Sequence, residues 1–201
     1  MKKMIRIAIV MAIQAVAVLC ATSTKAATLI YTVDDIMQQK AEVKAKEVID
    51  EIIKPEMSEI DEIFVVHDWI CKNTEYQKGH PTDYVCAGPL LTGKGCCAGY
   101  SDTFNLFMDL LGIDCIQVDG KMVGTEFYHR WNEVNIRGNR YQIDCTFDDN
   151  DDPEKPYDRQ YCLLTPDQMV RTGKMHRTVL QYDAKDGTKE PFCPTVKSVW
   201  Y

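Results

Sequence analysis

The chain has 201 residues, enough for one domain with a substantial buried core. Acidic residues outnumber basic ones 30 to 23, for a net charge of −7. That balance excludes an electrostatic footprint for nucleic acid or anionic lipid, and no stretch beyond the first residues is apolar enough to span a bilayer.

The first 26 residues have the layout of a secretory signal. Met1-Lys-Lys-Met-Ile-Arg6 is a basic n-region, Ile7 to Leu19 an apolar core broken only by Gln14, and Ala21 to Ala27 a run with small residues for cleavage. Leu19 is too large for the small residue that lipoprotein processing at Cys20 prefers. A secreted or cell-surface location is therefore expected. Residues 1–26 carry four basic and no acidic residues, so the remainder has 19 basic against 30 acidic side chains and a net charge of −11. Of nine cysteines, eight lie beyond the leader: Cys71, Cys86, Cys96, Cys97, Cys115, Cys145, Cys162 and Cys193. In an exported protein most of these are expected in disulfides. Neither Cys-x-x-Cys nor His-x3-His spacing occurs, so no metal ligand is assigned, and no cofactor is called for.

Thr32-Val-Asp-Asp35 reads as a helix start, followed by an amphipathic helix to about Lys54 that turns Ile36, Val43, Val48, Ile49, Ile52 and Ile53 towards the body. A second helix is expected from about Ser58 to Asn73, with Ile60, Ile63, Phe64, Val66, His67, Ile70 and Cys71 on its apolar face. On such a face His67 reads as a hydrogen-bonded core residue rather than a catalyst. Residues 76–92, with Gly79, Pro81, Gly88 and Pro89, read as a loop. Then comes Gly93-Lys-Gly-Cys-Cys-Ala-Gly-Tyr-Ser-Asp-Thr-Phe, a glycine turn opening into a helix whose apolar residues Tyr100, Phe104, Phe107, Met108 and Leu111 recur at helical spacing until Gly112 caps it. Cys97 falls at the first helical turn, where unpaired N–H groups and the dipole favour a thiolate.

After this helix the period changes to two. Strands are expected at 115–120, 127–136 and 140–147, the last two joined by a tight turn at Arg137-Gly-Asn139. The acidic run 148–156 lacks the spacing and glycine of a calcium loop and reads as solvated. Tyr161 to Leu164 suits a further strand, Pro166 a short helix, and 183–201 an irregular tail. Alternation puts His129 and Trp131 on one strand face and Gln142, Asp144 and Thr146 on one face of the next. Pairing of residues near 132 and 144 would let Asp144 orient His129 opposite Cys97. A nucleophile, a base and an orienting carboxylate are what thiol acyl transfer needs.

The motifs at these positions resemble the transglutaminase-like superfamily, a variant of the papain-like architecture. Gly95-Cys-Cys-Ala-Gly-Tyr-Ser101 resembles its Gly-Val-Cys-x-Gly-Tyr turn, and Leu111-Gly-Ile113 its helix exit. His129-Arg-Trp-Asn132 is similar to its His-Ala-Trp-Asn strand, and Tyr141-Gln-Ile-Asp-Cys-Thr-Phe147 to its Tyr-x-x-Asp-x-Thr-Trp strand. His67 to Tyr76 and Tyr161 to Met169 look like flanking segments of bacterial members, so the resemblance runs over about residues 60 to 175. It implies Cys97 as nucleophile, His129 as base and Asp144 as orienter. Three departures stand out: Cys96 beside the nucleophile, Arg130 after the histidine, and Phe147 in place of tryptophan.

The expected architecture is α+β, a papain-like/transglutaminase-like core with the nucleophile at the N-terminus of a central helix packed on a small antiparallel sheet. Its expected organisation is a signal peptide (1–26), an N-terminal helical segment (27–57), a catalytic domain (58–182) and a tail (183–201). The expected activity is that of a secreted thiol enzyme acting on protein or peptide substrates as a peptidase or amidohydrolase. A transglutaminase or deamidase differs only in the acceptor or the amide attacked. A non-catalytic binding module, or a disulfide oxidoreductase using Cys96 and Cys97, is the remaining alternative.

Overall fold

A computed structural model of the chain describes residues 33–122, 127–150, 152, 154–172, 176–183 and 189–190. The expected leader, Cys20 and Cys193 lie outside these residues. Helix α1 (Val33–Ile52) opens the described chain; Val48, Ile49, Ile52 and the following Ile53 pack inward as expected, and only its first half departs from the expected face. Ile36 and Val43 are exposed, whereas Ala41, Ala45 and Val48 enter the core. Small side chains at steps of four and three let this helix approach its neighbours closely, which a row of isoleucines would prevent. Helix α2 (Glu59–Asn73) begins as its sequence requires. Ser58 accepts from the Asp61 N–H at 3.2 Å, and the Asp61 carboxylate accepts from the Ser58 N–H at 2.9 Å. Its buried stripe is Ile63, Val66, His67, Ile70 and Cys71.

The stretch expected to be a loop is more ordered. Strand β1 (Glu75–Tyr76) pairs in parallel with β2 (Lys94–Gly95), and between them lie a 3-10 turn (Pro81–Tyr84) and helix α3 (Ala87–Thr92). Pro89 does not break α3, because it falls in the first turn, where a backbone N–H has no intrahelical partner. Helix α4 (Cys97–Leu111) follows at once. Tyr100, Phe104, Phe107 and Met108 are buried, and Gly112 closes it at φ 70°.

Six strands form one antiparallel sheet: β3 (Asp114–Met122), β4 (Tyr128–Ile136), β5 (Asn139–Ile143), β6 (Cys162–Leu164), β7 (His176–Asp183) and β8 (Lys189–Glu190). Their spatial order is β6-β5-β4-β3-β7-β8. Cys115, Val134, Ile136 and Ile143 join the helices in the main core; Ile116, Val118 and Trp131 form a smaller cluster of their own. Arg137 and Gly138, both at positive φ, make the β4–β5 turn.

The sheet departs from expectation at two places. The third strand ends at Ile143 rather than 147; Asp144 then caps a one-turn helix, α5 (Cys145–Asp148), by accepting the Phe147 N–H at 3.2 Å. A side chain that captures its own downstream amide ends a strand. Strand β7 was not among the sequence-derived elements, and it forms where the far edge of β3 offers a partner. Helix α6 (Pro166–Arg171) starts with a capping box at Thr165 and Gln168, in keeping with the short helix expected there.

The cysteines require a correction. All seven described cysteines (Cys71, Cys86, Cys96, Cys97, Cys115, Cys145 and Cys162) are free thiols, so the disulfides expected for most of them are not formed among the described residues. All except Cys97 are buried, and Cys71, Cys86, Cys115, Cys145 and Cys162 pack in the hydrophobic core. Nor is the run after Asp148 wholly solvated. Asp148 is fully buried, and Asp149 accepts the Tyr100 hydroxyl proton at 2.5 Å.

Candidate active site

Cys97 is the first residue of α4, and the chain leading to it is held on both sides. Gly93 and Gly95 carbonyls accept from the Glu75 and Gln77 N–H groups, each at 2.8 Å, and Cys96 N–H donates to the Asp83 carbonyl at 2.8 Å. That contact explains Gly99, since a Cβ there would lie 2.4 Å from the Asp83 carbonyl oxygen. The first turn of α4 is therefore pressed onto the 3-10 turn, leaving Cys97 half-buried and Cys96 buried.

His129 sits one residue into β4, and Asp144 directly follows β5. The register pairs Asn132 with Ile143, close to the pairing expected. The His129 Nε2 and the Asp144 Oδ2 are 2.7 Å apart, with both residues buried. Aromatic rings flank the imidazole: Phe147 stacks at 4.5 Å between centroids and Trp131 at 6.1 Å. Trp131 is held in turn, its Nε1 donating to Gln142, which donates to Glu133, itself paired with Arg140 at 3.2 Å. Asn132 ties β4 to α4 by donating to the Ser101 carbonyl at 3.1 Å. Arg130 points along the other strand face, where its guanidinium forks onto Asp119 at 2.6 Å. Its backbone amide lies near enough to the Cys97 sulfur to favour a thiolate there.

The two adjacent thiols divide a charge between them. Hydrogen bonding with Cys97 pulls the Cys96 thiol down to about 6, against burial, and the nearby N–H groups of Ala98 and Gly99 also favour its charge. No cap-length hydrogen bond reaches the Cys96 sulfur, so those amides act as close dipoles. The same contact with Cys96, together with burial, pushes the Cys97 thiol up. The direction at Cys97 is opposite to the lowered pKa expected, because its neighbour Cys96 and burial both disfavour a thiolate there. The sequence marks Cys96 as a departure from the motif without showing that it opposes a charge on Cys97. The stacking role of Phe147 was also missed, because it depends on the turn into α5.

Exposed aromatics stand near the thiols. Tyr76 is near enough to Cys97, Cys96 and Tyr84 for their charges to raise its hydroxyl pKa, after burial. Tyr76, Tyr84 and Val85 are exposed there, and Phe127 and Tyr128 directly precede His129 at 72% and 65% exposure. His67 lies elsewhere, fully buried, with Nε2 3.0 Å from Asp148 and Nδ1 3.1 Å from Asp68. It is a hydrogen-bonded core histidine, as its place on α2 suggests.

The sequence profile of the transglutaminase-like superfamily matches residues 46–144, a span that holds Cys97 and His129 and ends on Asp144. No curated protein matches the chain. Among solved structures, one described as a TGase is similar at 16% identity and a TM-score of 0.51, covering 63% of this chain and 36% of its own. A second, described as "a Putative Cysteine Protease from Cytophaga hutchinsonii", has 19% identity and a TM-score of 0.46, covering 61% of this chain and 45% of its own. The matched part thus spans under half the length of either. Profile and fold agree: the α+β core of this chain resembles the transglutaminase-like superfamily, whose profile matches its residues 46–144.

Proposed function

We propose that the protein is an exported thiol acyl-transfer enzyme in which Cys97 is the nucleophile, His129 the general base and acid, and Asp144 the group that orients His129. The observation that carries this reading is the 2.7 Å His129–Asp144 contact, beside the strand whose Arg130 amide lies near the half-buried Cys97 sulfur. With Nε2 engaged by the carboxylate, Nδ1 is the nitrogen assigned to proton exchange with the thiol. Cys97 Sγ attacks an amide carbonyl, and its proton passes to His129. The S–C bond forms and the C–N bond breaks, the amine leaving with the proton from His129. Water then releases the acid, or a second amine takes the acyl group. N–H groups at the open end of α4 are suited to the oxyanion.

Cys97 is preferred to Cys96 because only the former has surface for a substrate to reach. Exposed Tyr76, Tyr84, Phe127 and Tyr128 suit an extended peptide with apolar side chains, which supports protein or peptide substrates. Water is the acceptor assigned, making the enzyme a peptidase or amidohydrolase; the leader-like sequence of residues 1–26 supports export. Incubation with a glutamine-containing peptide and a primary amine, followed by mass spectrometry, tests both parts. Cleavage or deamidation that disappears in Cys97→Ser supports the reading, and amine incorporation would make it a transglutaminase. Turnover that persists in Cys97→Ser overturns it.

A further inference from the structure

A second group of reactive side chains lies apart from Cys97, and the proposed reaction does not use it. Helix α2 presents His67 and Cys71, one turn apart and therefore on the same face. Helix α5 presents Cys145 and Asp148, three residues apart. His67 and Asp148 are 0% exposed, Cys71 2% and Cys145 4%. We infer that these four residues form a closed site for one divalent transition-metal ion of the zinc class, which clamps α2 to α5.

The distances fit such an ion. The His67 ring nitrogen and the sulfurs of Cys71 and Cys145 all lie within 4.8 Å of one another. His67 Nε2 is 3.8 Å from Cys71 Sγ and 3.0 Å from Asp148 Oδ2. Tetrahedral zinc, with bonds of about 2.0–2.3 Å, sets neighbouring donor atoms roughly 3.3–3.8 Å apart. The three donors of His67, Cys71 and Cys145 already lie near that spacing, and Asp148, held against His67 Nε2, completes the set by a side-chain rotation.

The surroundings also resemble those of a metal ligand set. His67 Nδ1 faces Asp68 Oδ1 at 3.1 Å, and Asp68 is gripped by the Arg159 guanidinium at 2.9 and 2.6 Å. A carboxylate on Nδ1 favours a proton there and turns the Nε2 lone pair inward, the arrangement that orients metal-binding histidines. Asp148 is held by the Tyr161 N–H, at 2.9 Å to Oδ1 and 3.1 Å to Oδ2. Two thiolates with an imidazole and a carboxylate favour zinc over the hard cations calcium and magnesium. Four protein donors out of reach of solvent make the site structural rather than catalytic. Binding expels both thiol protons and the proton between His67 and Asp148, so affinity rises with pH. Sequence spacing hides the set, because its two halves lie 74 residues apart between Cys71 and Cys145.

The test uses the full chain, reduced and stripped with a chelator, then titrated with cobalt(II). One equivalent is expected to produce a thiolate-to-cobalt charge-transfer band and the intense visible bands of a tetrahedral site. Cys71→Ser and Cys145→Ser should each halve the charge-transfer band per bound ion, and the double variant should abolish it, while Cys97→Ser leaves it intact. As these variants could fold poorly, wild-type protein gives a second readout: added zinc should protect Cys71 and Cys145, but not Cys97, from alkylation mapped by mass spectrometry. Folded wild-type protein without a thiolate band overturns the inference. So does a band that survives the double variant, or a Cys71–Cys145 disulfide in protein purified without reductant.

Discussion

The chain builds two histidine–carboxylate pairs on the same short helix, and they differ in almost everything except composition. Asp144 caps the start of α5 and holds His129; Asp148 ends α5 and holds His67. Each pair has cysteines nearby. At the first, Cys97 is half-buried rather than sealed, and the charge of its thiol is felt by the exposed Tyr76. At the second, His67, Cys71, Cys145 and Asp148 are all sealed from solvent. Residue type therefore does not determine role here. Access does: a thiol that a substrate can reach suits acyl transfer, and thiols that none can reach suit packing or a bound ion.

The comparison breaks most sharply at the reactive pole. Cys97→Ser should lower turnover by at least about a thousandfold without a change in thermal stability, and His129→Ala should lower it as far while also lowering the melting temperature, because it strands the buried Asp144 carboxylate, read by peptide hydrolysis beside a melting curve. Asp144→Asn should cost about 10²–10⁴-fold, since asparagine still caps α5 but cannot hold the same tautomer. An Asp144→Asn enzyme of full activity would remove Asp144 from the orienting role. At the sealed pole the expected effect is on stability. His67→Ala strands a buried carboxylate and should cost about 3–5 kcal/mol by denaturant titration, with the alkylation rate of Cys97 in the folded fraction unchanged. A slowed Cys97 in stably folded His67→Ala would show that the two poles are coupled through α5.

Acidity sharpens the same contrast. Burial pushes the Asp148 carboxyl up to about 6. Burial opposes charge on His67, but its bonds to Asp148 and Asp68 prevail and raise it well above the ordinary value. Both groups bind more protons folded than unfolded, so their contribution to stability is complete below about pH 4 and declines as pH rises. Melting temperatures in chelator should therefore fall less between about pH 4 and 6 in Asp148→Asn than in wild type, and excess zinc should oppose the decline above that range. Gly99→Ala, which drives a methyl against the Asp83 carbonyl, should cost about 1–3 kcal/mol and displace Cys97 as well. Arg130→Ala should do least, roughly 0–1 kcal/mol, because its pair with Asp119 is partly solvated.

Much of this was legible in the sequence because it depends on local rules. The capping box at Ser58, the helical spacing from Tyr100 to Met108, the cap at Gly112 and the β4–β5 turn each follow from neighbours in the chain. The approach of His129 and Asp144 was legible for the same reason, since a short hairpin carries them to one strand end. The buried face of α1 was legible only in its second half, where Val48, Ile49 and Ile52 pack inward; in its first half how closely a neighbour must approach decides the stripe, and alanines won over Ile36 and Val43. Helix α3 was hidden by Gly88 and Pro89, whose turn-forming habit gives way where the backbone packs tightly.

By itself, then, the sequence determined the α+β elements, the superfamily motifs and the three residues proposed for catalysis, all of which rest on short-range spacing and side-chain type. Tertiary structure alone decided that Cys96 and burial oppose a charge on Cys97, that strand β5 ends before Asp144, and that the seven described cysteines are separate thiols. It also decided that His67 and Cys71 face Cys145 and Asp148. Each of these depends on burial and on contacts between distant segments, and a linear pattern carries neither until the chain has closed on itself.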